Sequence, residues 1–304
     1  MKPNYLISIV GATGIGKTSL SIALAKHFKT EIISSDSRQF FKEMKIGTAV
    51  PNDEELNEVK HHFIQNRSIF EDYNVGDYER DTLSKLNELF KYNNIVIMVG
   101  GSGLYVNAVI DGLDDFPEID PYIRKDLKKE LDTKGIETLQ KRLQKLDPIS
   151  FQKIDINNKQ RLIRALEICI GTGKAYSSFL SNKKNKRHFT PIKIGITADR
   201  EVIYNRINQR VDLMMQNGLL EETKKLYPNK YLNALQTVGY KELFKYMDNE
   251  WDLEFAVSEI KKNTRRFAKR QGTWFRKDPE IKWFDYKKPI QDIIQHIDLK
   301  IKAE

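Results

Sequence analysis

Gly11-Ala12-Thr13-Gly14-Ile15-Gly16-Lys17-Thr18 sets glycines, a lysine and a hydroxyl side chain at the spacing G-x-x-x-x-G-K-[ST]. Glycines let a backbone wrap around an anion so that several N–H groups converge on it, and a helix starting at the end of the loop adds the positive end of its dipole. Lys17 supplies a point charge for the terminal phosphate, and the Thr18 hydroxyl is suited to ligating Mg2+. The chemistry is that of holding a polyphosphate, and the motif leaves open which one. Asp36-Ser37-Arg38-Gln39 adds a carboxylate among polar neighbours, and Gly100-Gly101-Ser102-Gly103 adds a hydroxyl on a backbone that a ligand can approach closely.

The elements that must position these groups follow from periodicity. Tyr5 to Val10 is a short apolar run that reads as a buried strand, and Leu20, Ala23, Leu24 and Phe28 recur at helical spacing. The motif therefore lies between a strand and a helix. Glu31 to Ser35 reads as a second strand that delivers Asp36 to its C-terminal end, the edge where open parallel sheets bind ligands. Capping of the next turn is the competing use of that aspartate. Asn94 to Val99 is a third strand, and Ile192 to Thr197 a fourth, followed by a helix with Ile203, Ile207, Val211 and Met214 on one face. Arg206 and Arg210 flank that stripe one turn apart, able to clamp a diphosphate or simply to face solvent.

Between these halves, residues 120 to 190 hold no convincing strand. Leu127, Leu131, Leu139, Leu143, Leu146, Leu162, Ile163, Leu166 and Ile170 repeat there at helical spacing. The expected organisation is an α/β core of the phosphate-loop type, a doubly wound parallel sheet over 1–118 and 191–304, with a small helical domain inserted at 119–190. A basic tract, Lys183-Lys184-Asn185-Lys186-Arg187, reads as an exposed loop at the end of the insertion.

Charge and composition narrow the class. Among 304 residues, 51 are Lys or Arg and 42 Asp or Glu, a formal charge of +9 that favours an anionic partner. The single cysteine, Cys169, excludes an internal disulfide and a cysteine-rich zinc site, and its apolar neighbours make it a small core residue. His61 and His62 have no partner at metal-ligand spacing and are assigned no metal. No apolar run approaches a membrane span, and the N-terminal run leads into the phosphate loop rather than a cleavage site, so a reducing, cytoplasmic setting is expected. From Lys261 to Lys277 there are eight basic residues and no acidic one, interleaved with Phe267, Trp274 and Phe275, a composition suited to phosphate contacts and base stacking. Residue types and spacing alone point to a phosphate-handling enzyme with a basic surface.

Seven blocks in order carry a resemblance that goes further. Gly11 to Thr18, Ser35 to Gln39, Met44 to Ala49, Gly100 to Tyr105, Gln160 to Glu167, Val238 to Leu243 and Asn263 to Arg276 together resemble the tRNA dimethylallyltransferase family over nearly the whole chain. The resemblance implies transfer of a dimethylallyl group from dimethylallyl diphosphate to N6 of the adenosine just 3′ of the tRNA anticodon. It implies that Gly11, Ala12, Thr13, Gly14, Ile15, Gly16, Lys17 and Thr18 hold the donor diphosphate, with Thr18 on Mg2+, Arg210 on the diphosphate and Asp36 as the base. It also implies tRNA contacts for Asp36, Ser37, Arg38, Gln39, Ser102, Arg124, Gln160, Arg161, Leu162, Ile163, Arg164, Gln236, Gly239, Lys241, Lys269, Arg270, Gln271, Thr273 and Arg276. The inserted helical domain corresponds to the one that grips the anticodon arm, and the chain is expected to act as a monomer.

The sequence departs from the family's usual pattern in three ways. Ser102 stands where threonine is usual and keeps the hydroxyl. Gly272 replaces an apolar residue and weakens its helix by about 1 kcal/mol relative to alanine. A cysteine-bearing C-terminal finger is absent, which points to the bacterial form. Two other readings remain open on the residues alone. One is a phosphate-loop kinase acting on a nucleoside or metabolite, and the other a nucleotide-gated RNA-binding protein without chemistry.

Overall fold

The computed structural model describes residues 3–180 and 185–303. The α/β body comprises residues up to Asp111 and from Lys186 onward, and the helical unit runs from Gly112 to Asn185. In the body the chain forms β1 (Tyr5–Gly11), α1 (Lys17–Phe28), β2 (Ile32–Ser34), α2 (Asp53–Glu58), β3 (His61–His62), α3 (Val75–Leu89), β4 (Ile95–Val99) and α4 (Gly103–Ile110). The helical unit holds α5 (Pro121–Lys134), α6 (Ile136–Leu146), α7 (Pro148–Lys153) and α8 (Lys159–Thr172). The body resumes with β5 (Thr190–Thr197), α9 (Arg200–Gln216), α10 (Leu219–Leu226), α11 (Tyr240–Met247), α12 (Leu253–Phe275), β6 (Lys282–Asp285) and α13 (Ile290–Lys302).

The sheet is wholly parallel, with strand order β3-β2-β4-β1-β5-β6. Alternation along β1 serves two cores. Tyr5, Ile7 and Ile9 pack with Leu24 of α1 and Ile293 and Ile297 of α13, whereas Leu6 and Val10 face Tyr78 and Leu86 of α3 and Val106 and Val109 of α4. A strand buried on both faces is predominantly apolar, which is why β1, β4 and β5 are the runs legible in the sequence. Full burial of one such side chain contributes about 1.5–3 kcal/mol. The C-terminal ends of the strands are therefore fixed platforms for the loops they launch.

Two expectations are corrected, and one short strand is added. The helical unit begins and ends earlier than 119–190, because Phe189 is buried in the body's core and Thr190 already opens β5. His61 and His62 form the edge strand β3, paired to Ile32 and Ile33, a ladder too short to show periodicity. Of the basic tract, Lys183 and Lys184 lie outside the described residues, while Arg187 is not on an exposed loop: it pairs with Glu79 and donates to the Ala108 carbonyl at 2.8 Å. The helical unit has its own core of Leu127, Leu139, Leu143, Leu162, Ile163, Leu166 and Cys169.

Candidate active site

Three loops leave the C-terminal ends of β1, β2 and β4 and converge. The first, Gly11 to Thr18, turns through left-handed conformations at Gly14 and Gly16, with φ +81° and +104°, that a side chain would strain. Gly16 caps α1 without a side-chain bond, so the first amides of that helix are open to an anion. Lys17 folds back so that Nζ donates to the Ala12 carbonyl at 2.8 Å. Burial lowers its pKa from 10.5 to about 8, an effect that Asp36 opposes and Arg210 reinforces.

The second loop carries Asp36. Its Oδ1 accepts the Arg38 amide at 3.1 Å. Burial pushes the carboxyl above the ordinary carboxylate range, while the Arg38 amide and the charges of Lys17 and Arg38 pull the other way. In the third loop, Ser102 Oγ accepts the Ser37 amide at 3.1 Å and stands 3.1 Å from the Ser37 hydroxyl, tying the second and third loops together. From α9, Arg210 donates to the Thr13 hydroxyl at 3.3 Å, and Arg206 donates to the Ile15 carbonyl at 3.1 Å with its guanidinium over the Tyr286 ring. Arg210 lines both cavities at this edge and Arg206 neither, because Arg206 is committed to bracing the loop.

Two cavities meet at these groups. A polar one of about 300 Å³ is lined by Gly14, Gly16, Lys17 and Thr18, and a larger one of about 720 Å³ by Arg38, Ser102, Phe267, Arg270 and Trp274. Thr13, Asp36, Thr48, Ala49 and Arg210 line both, so they form the passage. The smaller space suits a diphosphate; the larger is within the usual size of ligand pockets and offers half-exposed aromatic faces at Phe267 and Trp274. No group of three His, Cys, Asp or Glu that could hold a metal occurs among the described residues. The Thr18 hydroxyl in this polar cavity nevertheless fits Mg2+, which keeps several waters and is bound chiefly through substrate phosphates.

The sequence-derived contact set divides. Gln160 and Arg161 are exposed on α8 and line a pocket of about 390 Å³ with Lys153, Arg164 and Tyr176, all within the helical unit. Arg124 and Arg164 both bond Glu167, at 2.8 and 3.1 Å, and Arg164 covers Phe116. Leu162 and Ile163 are corrected: both are buried in the unit's core, so their side chains cannot touch a polynucleotide. Gln271 has a structural role as well. Its side chain is mostly buried, accepts the Thr13 amide at 2.9 Å and donates to the Gly101 carbonyl at 3.0 Å, so it links two loops while lining the larger cavity.

Arg38 donates to the carbonyls of Asn233 and Ala234, Gln39 to those of Thr48 and Ala49, and Gln236 to that of Lys230. The Gly239 amide is held by Glu242. Lys241, Lys269, Arg270, Thr273 and Arg276 are exposed, but Lys261 and Lys262 of the basic segment are held in ion pairs and Arg265 bonds Asn208. Sequence reasoning missed Glu222, whose carboxylate organises the segment from Lys45 to Gly47, because nothing local marks a glutamate that acts on a distant loop.

Sheet, loop and paired cavities define an α/β protein of the phosphate-loop type with a small polar cavity opening into a larger one. The sequence profile of the family described as IPP transferase matches residues 39–278. The chain is 61% identical over 305 residues to a tRNA dimethylallyltransferase of Flavobacterium johnsoniae, covering 98% of this chain and 99% of that one. It is 62% identical over 300 residues to the enzyme of the same name from Christiangramia forsetii, covering 99% of each. The tRNA isopentenylpyrophosphate transferase structure from Bacillus halodurans superposes with a TM-score of 0.74 at 37% identity, over 99% of this chain and 97% of that one. A eukaryotic dimethylallyltransferase acting on tRNA gives 0.80 at 28% identity, over 93% of this chain and 74% of that one. This chain belongs to the IPP transferase family.

Proposed function

We propose that the protein transfers the dimethylallyl group of dimethylallyl diphosphate to N6 of the adenosine 3′ of the anticodon, position 37, in tRNA, releasing diphosphate. The observation that carries this reading is Asp36, which lines both the phosphate-sized cavity and the larger one. An exocyclic adenine amine is a weak nucleophile because its lone pair is delocalised into the ring, so a base that takes its proton as the bond forms is useful. The N6–C1 bond forms, the C1–O bond of the donor breaks, the N6 proton passes to Asp36, and both electrons of the broken bond leave with the diphosphate. A carboxyl raised by burial is a better base for that proton.

The leaving diphosphate gathers negative charge, which Lys17, Arg210 and the amides at the start of α1 stabilise. Mg2+, held by the Thr18 hydroxyl when bound, supplies further neutralisation of that charge. The target base must leave its stack to enter, and the aromatic faces of Phe267 and Trp274 offset the stacking it loses. Lys269, Arg270, Thr273 and Arg276 contact the tRNA backbone, as do Gln160 and Arg161 of the helical unit. One chain carries both cavities, so a monomer suffices. No helix among the described residues is long and apolar enough to cross a membrane, in keeping with action on cytoplasmic tRNA.

A kinase uses the phosphate loop but leaves the larger cavity and the basic segment without a role, and the named relatives favour the transferase. The test is incubation of unmodified tRNA with donor labelled in its allyl carbons or, separately, with ATP labelled in its γ-phosphate. Label enters tRNA from the allylic donor alone; transfer from ATP, or none from the donor, rejects the reading.

A further inference from the structure

The passage between the two cavities is walled on one side by a short strap, residues 45–49, that has no regular structure of its own. One carboxylate on α10 holds it. Glu222 Oε2 accepts the amides of Lys45 at 3.0 Å and Ile46 at 2.8 Å, and Oε1 accepts the Gly47 amide at 2.9 Å and the Tyr240 hydroxyl at 2.7 Å. Four donors thus saturate two oxygens. Any Cβ at Gly47 would stand 2.6 Å from the Tyr240 ring, so the strap is pressed against that ring as well as bonded to the carboxylate.

The far end of the strap is strained. Ala49 sits at φ +51°, a left-handed conformation that a non-glycine residue adopts only when its surroundings impose it. Its amide donates to the Ile46 carbonyl at 3.0 Å and its carbonyl accepts from Gln39 at 3.0 Å. Of the residues lining both cavities, Ala49 is the only one without a polar side chain, and Thr48 beside it adds a methyl. A donor whose diphosphate lies in the smaller cavity and whose C1 meets adenine in the larger must pass its carbons by this wall.

We infer that Glu222 is a positioning residue that fixes the 45–49 strap as the wall of this passage and thereby selects a five-carbon allylic diphosphate over longer ones. The inference rests on the prenyl-transfer reading above. Glutamine at this position keeps the shape but replaces one accepting oxygen by an NH2 that faces N–H donors, so the strap loses part of its anchorage.

The test uses the full-length protein, tRNA, and the five-carbon and ten-carbon allylic diphosphates. For Glu222→Gln we expect KM for the five-carbon donor to rise at least tenfold, the preference for five over ten carbons in kcat/KM to fall at least fivefold, and the Kd for tRNA to stay within twofold. Glu221→Gln, which alters an exposed neighbour paired with Lys224, leaves all three unchanged. Ala49→Gly decides the matter should Glu222→Gln lose its melting transition, because glycine accepts the left-handed conformation without strain. It keeps the fold and lowers the preference by the same fivefold or more. A preference that both variants preserve, or a KM that does not move in a folded Glu222→Gln, overturns the inference while leaving the transferase intact. A wild-type protein that prenylates tRNA with neither donor overturns the transferase reading and this one with it.

Discussion

Lys17→Met removes the charge that the phosphate loop holds over its anion site and nearly conserves the length of the side chain. Burial brings Lys17 from 10.5 down to about 8. At about 1.4 kcal/mol per pH unit, that gap means the folded protein at pH 7 carries about 3 kcal/mol of cost for keeping this ammonium charged. Methionine escapes the cost but forfeits the bond to the Ala12 carbonyl, worth about 1 kcal/mol, so the variant gains about 2 kcal/mol. The sign follows from linkage. A lysine lowered on folding contributes nothing against the fold above its unfolded pKa; its cost grows as pH falls from there toward the folded pKa and is constant below it. The advantage of the variant is therefore full at pH 7, about 1 kcal/mol at pH 9, and reversed by pH 10.5, where the lost bond outweighs what remains of the cost. Urea unfolding of both proteins at these three pH values, followed by circular dichroism, measures it, and turnover with saturating tRNA falls at least a hundredfold. A variant less stable than wild type at pH 7, or a difference independent of pH, refutes the account of Lys17 as a strained charge poised for a diphosphate.

Asp36→Asn keeps the passage filled but cannot take a proton; kcat falls by about 10²–10⁴ with the Kd for tRNA within threefold, as single-turnover assays and filter binding will read. The pH profile of kcat/KM for the donor is a bell, declining on the acid side as pH drops through the raised pKa of Asp36, above its ordinary 3.8, and on the alkaline side as pH climbs through about 8 for Lys17. Alanine at Lys269, Arg270 or Arg276 weakens tRNA binding and reduces the slope of log K against log salt by roughly one each, leaving the donor KM alone. Gly272→Ala raises stability by about 1 kcal/mol, because α12 runs unbroken through this position and the new Cβ meets, at 3.4 Å, only the flexible end of Arg276.

Legibility tracked how local the signal was. Strands buried on both faces and helices with a single apolar stripe announce themselves by period, which is why β1, β4, β5 and α9 were readable and the three loops could be assigned to one sheet edge. The edge strand β3 and the short β6 are too brief for any period, and the return from the helical unit was misplaced because Phe189 carries no mark of which core it joins. Within the site, Lys17, Asp36 and Arg210 were found because a motif, a strand end or a family block names them. Leu162 and Ile163 lie in a core, which a matching block cannot show, because it records that positions matter without recording whether they face a ligand or hold the element together. Glu222 is invisible for the converse reason: the loop amides it holds lie 175 to 177 residues away in the chain.

The central claim is that a phosphate cradle and an aspartate at the mouth of a base-sized cavity serve carbon transfer to an adenine. Mass spectrometry of the nucleosides from unmodified tRNA, digested after incubation with the purified protein, dimethylallyl diphosphate and Mg2+, addresses it in one spectrum. The account predicts one adenosine per acceptor tRNA heavier by a dimethylallyl group, lost when Asp36 is asparagine. An unchanged nucleoside profile, or a modified nucleoside that persists in that variant, contradicts it.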